Sequence, residues 1–127
     1  MAASPALRRS GPVLLRREED ARDTAHTYFR WSITGWPVLA ELPDTNGFAA
    51  ASKYVSADSV AQRITCGPSA GRHLEAIRRF IGAGYDHIIL VQVGPEQEYF
   101  LNLFRDELAP ALRQEEAQLW QAEGVGA

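Results

Sequence analysis

The chain has 127 residues, 46% of them hydrophobic and 23% charged, with a single cysteine and a formal net charge of -3. This is the composition of one globular domain, and it excludes a collagen-like, disordered or disulfide-stapled chain. No apolar run approaches the roughly 20 residues that a bilayer-crossing helix needs, and a lone thiol makes no internal bridge, so no membrane is expected and a reducing, cytoplasmic setting is.

The charge is uneven. Residues 1–17 carry Arg8, Arg9, Arg16 and Arg17 and no acid, whereas the rest of the chain is acidic. An acidic body argues against nucleic acid as a partner, because a phosphate backbone selects a basic face. The basic segment fails as a secretion signal, since Pro12-Val13-Leu14-Leu15 is too short for an apolar core and is closed by two arginines. A tether to nucleic acid or membrane and a poorly ordered terminus are its two readings. The second is the simpler, so residues 1–17 are expected to be a disordered arm and 18–127 the folded domain.

Residues 18–31 read as a helix, with acids in the first turn, where they suit the helix dipole, and Ala21, Ala25, Tyr28 and Phe29 at helical spacing. Gly35, Pro37, Pro43 and Gly47 mark 32–47 as a long loop. Residues 48–55 read as a short helix, and Ser56 caps a further turn or two over 57–62. Arg63-Ile64-Thr65-Cys66 is a short β-prone run stopped by Gly67-Pro68. Ser69 then caps a helix whose apolar face is Leu74, Ile77, Phe80 and Ile81, ending at Gly82 or Gly84. His87 to Val93 is almost unbroken apolar sequence rich in β-branched residues, the pattern of a strand buried on both faces of a parallel sheet. Glu96 to Leu108 gives an amphipathic helix, and Pro110 can open a last one over 111–121. The second half therefore reads strand, helix, strand, helix, with the right-handed crossovers of α/β alternation.

From residue 63 onward the chain resembles a known family. Cys66-Gly67-Pro68, the helix from Arg72 to Gly84, Asp86-His87-Ile88, the run Gln92-Val93-Gly94-Pro95-Glu96-Gln97-Glu98 and the ending Leu108-Ala109-Pro110-Ala111-Leu112-Arg113 look like the C-terminal end of the luciferase-like oxidoreductases. The closest branch is the one similar to glucose-6-phosphate dehydrogenases that use a deazaflavin (coenzyme F-420). Glu41-Leu42-Pro43, Phe48 and the helix Ala21 to Trp31 match more loosely. The resemblance implies an α/β fold, a partial (β/α)8 barrel consisting of the last two βα units and the helices before them. A full barrel needs about 250 residues. The family's early strands, with the catalytic His and acid and most coenzyme contacts, have no counterpart here, and residues 1–17 do not look like the preceding strand.

The implied activity is hydride transfer between a small-molecule substrate and the deazaflavin, with FMN the second choice of cofactor. A truncated chain is expected to be inactive alone and to associate with itself or a complementing chain, because open parallel edges pair with something. The alternative is a non-catalytic α/β module stabilised by a partner.

Barrel ligands sit at the C-terminal ends of strands, which nominates Cys66 and Gly67 after the first strand and Gln92 and Gly94 after the second. Gln92 and Gly94 are the candidate coenzyme contacts. An amide interrupting an apolar strand needs a partner, either a ligand or a neighbouring loop. Members of the branch that oxidise a sugar phosphate hold the phosphate with cationic side chains, and Arg63 is the candidate for that role; a solvated arginine at a strand start is the plainer alternative. Cys66 is better read as a small buried hydrophobe than as a nucleophile, because hydride transfer needs no thiol. His26, His73 and His87 lack a second ligand at metal spacing, and no metal-binding, phosphate-loop or GxSxG pattern is present.

Overall fold

The computed structural model describes residues 7–10, 13 and 15–122. In chain order the elements are β1 (Leu7–Ser10), α1 (Glu18–Phe29), a 3₁₀ turn (Arg30–Thr34), α2 (Trp36–Leu39), α3 (Thr45–Ala51), α4 (Ala57–Ala61), α5 (Ala70–Gly82), β2 (His87–Leu90), α6 (Gln97–Leu103), a π turn (Phe104–Leu108) and α7 (Ala109–Ala122).

Helix α1 starts on three acids, Glu18, Glu19 and Asp20, and buries Ala21 and Ala25 one turn apart. Those small side chains let α1 lie close against α4, whose Val60 is fully buried. Val13, Leu15 and Cys66 complete this first core, with Phe29, Ile33, Val55, Ile64 and Val93 around it. His26 Nε2 donates to the Val55 carbonyl at 2.7 Å and ties α1 to the segment that leads into α4.

The first strands differ from the sequence expectation. Within the segment read as an arm, β1 pairs in parallel with β2, Leu7 opposite His87 and Ser10 opposite Leu90. Val13 is fully buried and bridges to Cys66, its N–H donating to the Thr65 carbonyl and its own carbonyl accepting from Gly67, each at 3.0 Å. The described part of that segment is therefore built into the body. Arginine-rich LRRS pairs through its backbone, which side-chain composition does not reveal. In place of a strand over 63–66, a single bridge forms at Cys66, because the chain is still leaving α4 through a turn at Arg63 and Ile64.

The second strand is shorter than expected, His87–Leu90 instead of 87–93, and it is not buried on both faces. Ile88 and Leu90 are half-buried, while Ile89 and Val91 are 38% and 42% exposed. Beneath it lies a second, smaller core in which Leu103 and Leu108 are buried against Ala70, Leu74 and Phe100. The two expected C-terminal helices are joined into one. The Ala109 N–H bonds to the Phe104 carbonyl five residues back, and this π widening comes immediately before Pro110, which has no N–H to give. The 32–47 loop likewise contains structure, the 3₁₀ turn and α2, and α3 begins at Thr45 with the Asp44 carboxylate accepting from the Gly47 N–H at 2.8 Å.

Among the described residues the sheet is two parallel strands, with no closed barrel. Among the described residues no helix is long and apolar enough to cross a membrane.

Candidate functional site

The positions nominated from the sequence at the strand ends, Gly67 and Gly94, both face α1, Gly67 at its first residue and Gly94 near its middle. Gly67 is buried at a φ of 96°, and a Cβ there would lie 3.4 Å from Glu18 Cγ. Gly94 has a φ of 119°, and its Cβ would lie 3.3 Å from Thr24 Cγ2 and 3.7 Å from Leu15 Cδ2. Both glycines are required by a left-handed backbone, and at Gly94 the close approach of Thr24 on α1 adds a second requirement. The Gly94 carbonyl accepts from Gln97 Nε2 at 2.8 Å, which fixes the turn into α6.

Gln92 is half-buried and is not left without a partner, as its position in an apolar segment requires. Arg63 stands apart in the turn after α4. It is exposed, its N–H donates to the Val60 carbonyl at 3.0 Å, and its guanidinium has no ion pair among the described residues.

The charged groups around the two strand ends are paired with one another. Glu18 accepts from Arg72 at 2.9 Å and lies 3.5 Å from Arg22, which in turn meets Asp58 at 2.8 Å. The hydrogen bond and charge of Arg72 hold the Glu18 carboxyl below its ordinary range. Across the site Glu96 accepts from the Arg16 N–H at 3.0 Å, and the Arg16 guanidinium lies 5.5 Å from the centre of the Tyr99 ring. Behind them His73, 3% exposed, donates from Nε2 to the Gly67 carbonyl at 2.9 Å. Burial lowers its pKa, so the neutral ring is the native form. Burial also pushes the Cys66 thiol up to about 11, which removes the thiolate a nucleophile would need. Sequence reading treated His73 as an unremarkable helical residue. Its place behind a glycine turn, four residues after the helix-capping Ser69, is the signal that it packs inward.

A deazaflavin with its phosphate-bearing tail needs open backbone at the strand ends and cations free to meet negative charge. Here Gly67 and Gly94 are taken up by α1, and Arg16, Arg22 and Arg72 are each paired with a carboxylate. The strand ends of this chain therefore do not by themselves fit the coenzyme. Among the described residues no group of three His, Cys, Asp or Glu converges as a metal site.

Comparison with known proteins gives a distant relationship to deazaflavin-dependent oxidoreductases. The chain is 30% identical over 56 residues to an F420-dependent glucose-6-phosphate dehydrogenase from Microbacterium testaceum, a match covering 44% of this chain and 17% of the relative. No family model matches.

Proposed function

We propose that this chain is the closing segment of a luciferase-like, deazaflavin-dependent oxidoreductase barrel, contributing the last two βα units and working only with the remaining strands, whether these come from a second copy or from a complementing chain. The observation that carries this reading is the local identity to the F420-dependent dehydrogenase. Two features of the fold support it. The strand pairings are parallel, as in such a barrel, and Ile89 of β2 and Val91 just after it are exposed, apolar surface that further strands would cover. Hydride transfer between a small-molecule substrate and the coenzyme belongs to the assembled barrel. There Arg63, exposed and without an ion pair among the described residues, is a residue of this chain available to a substrate phosphate; Gln92 is the strand-end candidate for a ligand contact, since Gly94 is packed against α1.

Complementation tests the proposal. The chain is mixed with the Microbacterium testaceum dehydrogenase from which the matching segment has been removed. Bleaching of the oxidised deazaflavin on addition of a sugar phosphate is expected from the mixture and from neither part alone. Two folded parts that associate without activity would overturn the family reading. Micromolar coenzyme binding by this chain alone would overturn the need for the other strands.

A further inference from the structure

We propose that the cleft between the C-terminal end of α1 and α3 is a binding site for a small aromatic monoanion, a ring carrying one carboxylate. The cavity holds about 360 Å³, at the small end of the range for ligand pockets. One wall is aromatic. Trp31 and Phe48 meet edge to face at 6.1 Å, and the Trp31 indole N–H donates to the Tyr28 carbonyl at 2.8 Å, so the ring is held while remaining 39% exposed. Ser52, 1% exposed, closes one side of the cleft with its hydroxyl spent on the Phe48 carbonyl at 2.8 Å.

Arg30 supplies the charge. It is half-buried and lines the cleft, yet it has no ion pair among the described residues, whereas Arg16, Arg22, Arg72, Arg78, Arg79 and Arg105 all have one. A guanidinium partly withdrawn from water and left unpaired favours an anion beside it. Thr27 and Thr45 line the same cleft, and their hydroxyls make no hydrogen bond among the described residues. One cation, two neutral hydroxyls and an aromatic wall match a single negative charge on a flat apolar body. A phosphate dianion would bring one charge more than the cleft can balance.

The cleft shares no lining residue with the strand ends, which meet α1 at Glu18 and Thr24, whereas the cleft is lined by Thr27, Arg30 and Trp31 further along the chain and by α3. The inference therefore stands independently of the barrel reading, and no coenzyme or second chain enters its test.

The full chain is titrated with 2-naphthoate and with 2-naphthamide, a neutral body of the same shape, while the Trp31 indole N–H is followed by NMR. The acid is expected to shift that resonance and to bind roughly tenfold more tightly than the amide. Arg30→Gln is expected to bring the acid down to the affinity of the amide, Arg30→Lys to recover part of the difference, and Arg79→Gln, on the distant α5, to change nothing. Should Arg30→Gln fail to fold, Thr45→Val serves, with a few-fold loss of naphthoate affinity expected. Equal binding of acid and amide, shifts confined to residues outside the cleft, or no binding of either probe overturns the assignment.

Discussion

The two halves of the molecule solve burial differently. In the first, α1 places alanines at its crossing with α4, and Val13 and Leu15 fill the space between them, so modest apolar content gives several fully buried side chains. The second half is richer in large apolar residues, with Ile88, Ile89, Leu90 and Val91 in a row and Phe100, Leu101, Leu103 and Phe104 after them. Among the described residues of this half, Ile77, Leu103 and Leu108 are its buried large side chains, while Leu101 is 62% exposed. Apolar content in a strand measures how much cover the strand requires; whether the same chain supplies that cover depends on the elements beside it.

The largest test of this contrast is Leu108→Ala. Leu108 is fully buried in the smaller core, and the truncation is expected to cost about 2–5 kcal/mol. Hydrogen exchange should quicken first in α5 to α7, with α1 and α4 following only at higher denaturant. Uniform acceleration across both halves would mean that they form one cooperative unit. Gly94→Ala sharpens the comparison where the halves meet, because the new Cβ must accept a φ of 119° and stand 3.3 Å from Thr24. About 1–3 kcal/mol is expected from urea unfolding. Thr24→Ser on that background should recover the steric part and leave the backbone part.

A smaller effect comes from His73. Its native pKa lies below the ordinary 6.5, so the unfolded chain takes up a proton that the native chain refuses. The stability this gives is present above pH 6.5 and drains away as the pH falls below it. His73→Gln, which keeps a donor for the Gly67 carbonyl, is expected to flatten that slope in thermal melts between neutral and mildly acidic pH. An unchanged slope would place the acid sensitivity elsewhere. The least change is expected from Glu115→Gln, which breaks the two-pronged pair between Arg78 of α5 and Glu115 of α7. Arg78 is exposed and Glu115 half-buried, both in reach of solvent, so the loss should be small and should shrink further in high salt.

Helices were legible in the sequence wherever their signals are local. Ser56 and Ser69 each accept a backbone N–H at the start of the helix they were expected to cap, from Ser59 at 3.1 Å and Arg72 at 3.4 Å. Asp44 was overlooked although its signal is of the same kind. What could not be read depends on distant partners. The pairing of β1 with β2 joins residues 80 positions apart through backbone groups alone, and the length of β2 depends on how many β1 residues lie beside it. The candidate site divided along the same line. Glycines at the strand ends were found from strand logic, but what stands opposite them, Glu18 and Thr24, comes from the angle at which α1 crosses. The cleft at Arg30 joins the end of α1 to α3, the short helix expected over 48–55, which starts three residues earlier, inside what reads as a loop.

The π turn at Phe104–Leu108 sets the rotational phase of everything after it. An α-helix advances about 100° per residue, so deleting one residue from that turn would restore ordinary winding and swing α7 around its axis by about that angle. Leu112 would leave the groove it shares with Ile77 and Leu90, and Glu115 would turn away from Arg78. The orientation of the last helix is therefore counted out by chain length as much as chosen by its own side chains, and single-residue insertions or deletions there act as a dial on which face of α7 the rest of the molecule meets.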